Sequence, residues 1–155
     1  QMTQVIIDGD ACPVTNSIIE LTKGTGIFVT VVRSFSHFST VIQPEHVNII
    51  YVDAGPDAVD YRIVKLVHSD DLVVTQDYGL ASLLLNKDTI VMHHKGFIYN
   101  QENINTLLEQ RHASAQFRKS GGRTKGPAAF TEEDVSKFES IFSNLIHKYF
   151  LETED

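Results

Sequence analysis

Short apolar runs alternate along the chain with stretches of helical spacing. Gln4–Ile7 is a β-branched run that ends at Asp8, as a buried strand would. Pro13 follows where a first helical position expects it, Ile18, Ile19 and Leu21 give that helix an apolar face, and Gly24 closes it. Ile27–Val32 reads as a second strand, the polar Ser34–Gln43 segment intervenes, and Val47–Val52 reads as a third. Asp57–His68 has helical spacing through Ala58, Ile63, Val64, Leu66 and Val67. Leu72–Thr75 is then a strand, Tyr78–Leu85 a helix and Thr89–Met92 a fifth strand. Ile98–Phe117 predicts a helix entered near Asn100, Ser120–Ala129 is a loop rich in Gly, and Thr131 opens a last helix. Its first turn holds Glu132, Glu133 and Asp134, which oppose the positive end of the helix dipole.

Strands alternating with helices, each apolar throughout rather than on one side, predict an α/β fold. The expected architecture is a three-layer sandwich around a mostly parallel sheet of about five strands, with right-handed crossovers. At 155 residues the chain fits one domain, 1–155, with a C-terminal helical extension over about 100–150.

Composition narrows the class. With 42% hydrophobic and 21% charged residues, this is the make-up of a globular domain. No apolar run approaches the ~20 residues of a membrane span, and no signal-peptide pattern stands at the start. One cysteine, Cys12, cannot form an internal disulfide, and a cytoplasmic location is the expectation. The net charge is −7, but unevenly spread. Residues 1–100 carry 11 acids against 6 Lys and Arg, whereas Gln110–Thr131 has no acid and holds Arg111, Arg118, Lys119, Arg123 and Lys125. An acidic body with one basic segment suits a site that takes a cation and an anionic substrate together. A solvated loop would give the same pattern.

Ligands of open parallel sheets bind beyond the carboxyl ends of the strands, where strand order reverses. Three segments bring acids there: Asp8-Gly9-Asp10 after the first strand, Asp53 with Asp57 and Asp60 after the third, and Asp77 after the fourth. Converging carboxylates repel unless a cation joins them. Mg²⁺ or Mn²⁺ fits such oxygen ligands, and phosphoryl chemistry is what such ions commonly serve. Asp57 and Asp60, three apart on a helix, can share one side. Each acid also has a purely structural reading: Asp57 and Asp60 at a helix start, Asp77 as an N-cap, Asp8 or Asp10 in a turn.

The blocks Asp8-Gly9-Asp10-Ala11-Cys12-Pro13, Gly55-Pro56-Asp57-Ala58-Val59-Asp60 and Val73-Val74-Thr75-Gln76-Asp77-Tyr78-Gly79-Leu80-Ala81 resemble the signature segments of the bacterial YaiI/YqxD family. So do Arg118-Lys119-Ser120-Gly121-Gly122 and Gly126-Pro127, followed by Phe130 and Phe138. That family is grouped with the PIN-like nucleases. The resemblance implies a PIN-like fold and Mg²⁺ or Mn²⁺ held by acids after the first strand, on a middle helix and after a later strand. Carried onto this sequence, those acids are Asp8 with Asp10 beside it, Asp60 or Asp57, and Asp77. Asp10 stands where many PIN domains carry Asn.

The leading expectation is therefore a divalent-metal-dependent phosphodiesterase acting on RNA. Asp8, Asp10, Asp60 and Asp77 would be catalytic, with Asp57 a further candidate ligand, and Arg118, Lys119, Arg123, Lys125 and His37 would contact substrate. One alternative is a non-catalytic domain that binds RNA or a protein. Another is a phosphatase of the HAD-like type, whose strand-Asp-x-Asp pattern is shared, although Ala11-Cys12-Pro13 departs from its continuation. Cys12 reads as a packed residue rather than a nucleophile, and His93 and His94 as surface or substrate-contact residues. No Walker glycine pattern is present, so an NTP-binding loop is not expected.

Overall fold

The computed structural model describes residues 4–53, 55–126 and 128–151; Pro127, which contributed to the family resemblance, lies outside them. Five strands form one sheet: β1 (Gln4–Asp8), β2 (Phe28–Ser34), β3 (Val47–Val52), β4 (Leu72–Val74) and β5 (Ile90–Met92). Their order is β3-β2-β1-β4-β5, and every pairing is parallel. Five α-helices connect and cover them: α1 (Thr15–Thr22), α2 (Ala58–Leu66), α3 (Tyr78–Leu85), α4 (Gln101–Lys119) and α5 (Glu132–Ile146). The fold is α/β, and the sheet is wholly rather than mostly parallel. Among the described residues no helix is long and apolar enough to cross a membrane.

The period-two geometry of a strand divides its side chains between two cores. On one face Val5, Ile7, Val29, Val31, Leu72 and Val74 meet Ile18 of α1 and Phe138, Phe142 and Leu145 of α5. On the other, Ile6, Val73 and Val91 meet Val59 and Ile63 of α2, Leu80 and Leu84 of α3, and Ile104 of α4. Burial on both faces explains why the strands are apolar at successive positions. It also makes three layers, with α5 supplying a core wall.

The start of α1 differs from its sequence pattern. Pro13 precedes the helix, which begins at Thr15 with Val14 at the N-cap. Cys12, preceding a proline, is extended (φ −107°, ψ 108°), as the proline ring demands. Thr15 donates its hydroxyl to the Cys12 carbonyl at 3.2 Å, so the first helical turn forms after the turn that holds Pro13. The other ends follow side-chain chemistry. Asp77 Oδ1 accepts from the Leu80 N–H at 2.9 Å and caps α3. Asn100 with Asn103, and Thr131 with Asp134, form reciprocal capping boxes on α4 and α5.

Gly9 is required by close approach. After β1 the chain makes a single 3₁₀ turn, Gly9–Ala11, against β2. A Cβ at Gly9 would lie 2.6 Å from Val31 Cγ1, 2.8 Å from Arg33 Cγ and 3.0 Å from the Val32 carbonyl oxygen. The valine is fully buried and the carbonyl is backbone, so neither gives way freely. Gly9→Ala is expected to cost about 1–3 kcal/mol, the usual scale of overpacking, measured by urea denaturation. It should also displace Asp8 and Asp10, which flank the glycine.

Candidate functional site

The chain leaves β1 toward β2 on one side, while β4 and β5 lie on the other. The crevice between β1 and β4 is therefore the switch point of the sheet. Asp8 ends β1 there, and Thr75, Gln76 and Asp77 form the turn from β4 into α3. The first turn of α2 adds Asp60. Asp8, Asp10, Asp60 and Asp77 line one cavity of about 320 Å³, together with Gln76 and Arg111.

Hydrogen bonds fix part of this cluster. Thr75 donates its hydroxyl to Asp8 Oδ2 at 2.8 Å and accepts from the Asp77 N–H at 3.0 Å. Tyr99 donates its hydroxyl to the Thr75 carbonyl at 3.0 Å, beneath the turn. Asp10 Oδ1 accepts from the Ser34 N–H at 2.9 Å and lies 2.9 Å from His37 Nδ1. His37 thus stands at the rim, joined to it through Asp10. Asp77 and Asp10 both carry a structural hydrogen bond as well as a place in the cavity.

The carboxylates raise one another's proton affinity. Burial pushes the Asp8 carboxyl above its ordinary range, partly offset by the Thr75 hydroxyl and reinforced by the charges of Asp77 and Asp10. Asp60 is pushed up to about 7, by burial first and then by Asp77 and Asp8, with the Asp77 carboxyl also in hydrogen-bond contact. A raised carboxyl pKa stabilises the folded chain below the unfolded value near 3.8, and that stability is lost as pH rises through about 7. In EDTA-containing buffer, Tm is therefore expected to fall between about pH 4 and 7 and to level off above that. Asp60→Asn should flatten that slope; thermal scans of both proteins across the range check it.

Asp57 occupies the N-cap position of α2 without a side-chain capping bond. It borders a neighbouring cavity of about 540 Å³ that shares Asp60, Asp77 and Arg111 with the first. Asp53 is exposed just beyond β3, the edge strand. Cys12 is half-buried, and burial raises its thiol pKa, which leaves it a poor nucleophile.

Arg118 and Lys119 lie in the last turn of α4, and Arg123 and Lys125 in the loop beyond. Arg118 donates to the Thr124 hydroxyl at 2.9 Å. At 1.5 Å per residue, Arg118 and Lys119 stand roughly 10–12 Å along the helix axis from Arg111. Arg111 is the basic side chain that borders the carboxylates, and it is the site residue that the reading of the basic segment as a block passed over. Ile104, Leu107, Leu108 and Arg111 follow the i, i+3, i+4, i+7 spacing of one helix side. Ile104, Leu107 and Leu108 pack in the second core, so this spacing was the signal that Arg111 shares the inward side of α4, while what that side faces is set by the fold.

A hard-oxygen donor set with surplus negative charge fits Mg²⁺ or Mn²⁺ by chemistry. Among the described residues, however, no three His, Cys, Asp or Glu side chains already stand as a ligand set. Holding an ion here would require the carboxylates to turn toward a common point, with Asp8 and Asp77 sharing or giving up the bonds they make to the Thr75 hydroxyl and the Leu80 N–H.

The comparisons with known proteins agree in extent. The chain is 98% identical over 154 residues to a UPF0178 protein of Staphylococcus saprophyticus, covering 99% of this chain and all of that one. It is 66% identical over 146 residues to a UPF0178 protein of Staphylococcus epidermidis, covering 94% and 98% of the two chains. A UPF0178 protein of Staphylococcus aureus is 62% identical over 147 residues, covering 95% and 97%. No solved structure matches significantly. Residues 6–148, which take in β1 from Ile6 onward, the other four strands and the helices on both faces, match the family described as uncharacterised BCR, YaiI/YqxD, and the chain belongs to that family.

Proposed function

We propose that this protein is a divalent-metal-dependent phosphodiesterase of the PIN-like kind, acting on RNA. The observation that carries the reading is the convergence of Asp8, Asp60 and Asp77, from three chain segments, on the switch point of the sheet. Burial, and after it the charges they place on one another, raise the Asp60 and Asp8 carboxyls, and a cation would relieve both. Asp8, Asp60 and Asp77 would hold Mg²⁺ or Mn²⁺, with Asp10 at the margin beside His37. Bound there, the ion supplies charge neutralisation for a phosphodiester and activation of a water nucleophile.

The chain's own residues do the rest. Thr75 orients Asp8, and Tyr99 steadies the turn that carries Thr75. Arg111, at the cavity wall, offers a planar fork of donors to a non-bridging phosphate oxygen. His37 can move a proton at Nδ1, where Asp10 now meets it. Arg118, Lys119, Arg123 and Lys125 would extend the hold on the strand beyond the cavity. Purified protein with Mn²⁺ is expected to cut a labelled single-stranded RNA, and EDTA should abolish the cleavage.

One observation favours a second reading. Asp77 caps α3 and Asp10 ties down Ser34, roles that a non-catalytic RNA- or protein-binding domain would retain. RNA binding that survives EDTA, with no cleavage in Mn²⁺, would select it.

A further inference from the structure

Beside the carboxylates lies a cavity that the proposed chemistry does not use. It measures about 370 Å³, toward the small end of ligand pockets, and is lined by His93, His94, Phe97, Phe130, Lys95 and Gln76 among others. Gln76 also borders the carboxylate cavity and a third that reaches Cys12 and His94, so the three lie side by side along the carboxyl edge of the sheet.

The walls of this cavity are aromatic. The His93 ring stacks on Phe97, with centroids 4.8 Å apart and planes 15° from parallel. His94 lies 4.4 Å from His93 and meets Phe130 edge-on at 5.3 Å. The turn that bears them is braced: the His93 N–H donates to the Phe97 carbonyl, and the Gly96 N–H to the His93 carbonyl, both at 2.9 Å. Gly96 has φ +95°, and a Cβ there would come 3.3 Å from the Phe138 backbone, so the turn is seated on α5.

The polar groups are of a particular kind. His93 Nδ1 accepts from the Lys95 N–H at 2.9 Å, which leaves the proton of the neutral ring on Nε2. Burial, with the neighbouring charges of His94 and Lys95, lowers His93 to about 4, and His94 is lowered as well. Two neutral imidazoles do not serve to hold a phosphate. Both rings are largely buried, and one face of His93 is taken by Phe97, so they offer ring edges and single hydrogen bonds beside the half-buried Phe97 and Phe130, which are terms on which an unpaired base is recognised.

We propose that this cavity is a nucleobase pocket, which receives one unpaired base of the strand whose phosphate sits at the carboxylates. The base would pack against Phe97 and Phe130, which are half-buried at the cavity wall, with its edge toward His93, His94 and Gln76. A base held this way must be unpaired, which favours a single strand with a preference at one position, and on the reading above that strand is RNA. The pocket rests on the phosphodiesterase reading only for that choice of substrate.

The test uses the full chain in EDTA, where no cleavage intervenes. The four ribonucleoside 5′-monophosphates are titrated while the imidazole NMR signals of the histidines are followed, with ribose 5-phosphate as the base-free control. The proposal expects saturable shifts of His93 and His94 with at least one nucleotide and none with ribose 5-phosphate. Phe130→Ala should weaken that binding about tenfold, in line with the loss of one stacking surface. His94→Phe, which keeps an aromatic ring against Phe130, should change the order of preference among bases, and it covers the case in which Phe130→Ala fails to fold. Equal shifts with ribose 5-phosphate, no shifts at millimolar nucleotide, or unchanged affinity and preference in the folded variants would each overturn the pocket. Nucleotide binding without cleavage in Mn²⁺ would sink the phosphodiesterase reading and leave the pocket standing. Cleavage without these shifts would do the reverse.

Discussion

Asp77→Asn is expected to abolish Mn²⁺-dependent RNA cleavage, by about a hundredfold or more, while leaving the fold intact. The two effects separate because Asp77 has two roles. Its Oδ1 caps α3 by accepting from the Leu80 N–H at 2.9 Å, and an asparagine oxygen caps a helix about as well. Its charge faces Asp60 and Asp8, and that charge is what a cation needs. Loss of one charged group at a reacting centre commonly costs two to three orders of magnitude in rate. Removing the repulsion should also let the Asp60 carboxyl return toward its ordinary range. Stability at pH 8 in EDTA should therefore hold or rise, read by thermal unfolding beside the cleavage assay. An Asp77→Asn protein that cleaves like the parent would remove Asp77 from the mechanism.

Phe138→Ala is expected to be the most damaging single change to stability, at about 3–5 kcal/mol. Phe138 is fully buried, stacks on Phe142 with centroids 5.4 Å apart, and lies under the Gly96 turn. Truncation leaves a cavity between α5 and the sheet that the braced turn cannot collapse to fill. For a domain of this size the loss corresponds to a fall in Tm of roughly 10 °C. Ile42→Ala is the control, since Ile42 is 94% exposed and should change stability by no more than about 0.5 kcal/mol. A small effect at Phe138 would mean that α5 is an appendage rather than a core wall.

The strands were legible because a parallel sheet buried on both faces writes itself as unbroken β-branched runs, as in Val5-Ile6-Ile7 and Leu72-Val73-Val74. Their order was not, since nothing in a run of valines says which neighbour it pairs. The caps were legible at Asp77, Asn100 and Thr131, where one side chain and its own backbone make the bond. Pro13 reads as a first helical position, but the residue before it is extended and the proline sits in the turn, which leaves the helix to begin at Thr15. That Asp8, Asp60 and Asp77 would share a cavity could be argued from strand ends alone. Arg111 and the His93–His94 pair needed three dimensions: α4 must cross beside α2 and α3 to bring the arginine in, and α5 must seat the Gly96 turn to close the aromatic walls. The basic run at 118–125 was conspicuous in sequence, yet the cavity at the carboxylates is bordered by the more isolated Arg111.

Three chain segments are proposed to hold a divalent cation at the β1–β4 crevice. A crystal of the protein soaked in Mn²⁺, with anomalous data collected at the manganese edge, tests it most directly. An anomalous peak is expected in the crevice, with oxygens of Asp8, Asp60 and Asp77 at about 2.0–2.3 Å, the distance range of small hard cations on carboxylates. A crevice without a peak at millimolar Mn²⁺, with Asp77 still bonded to the Leu80 N–H and Asp60 still facing it as a protonated partner, would contradict it.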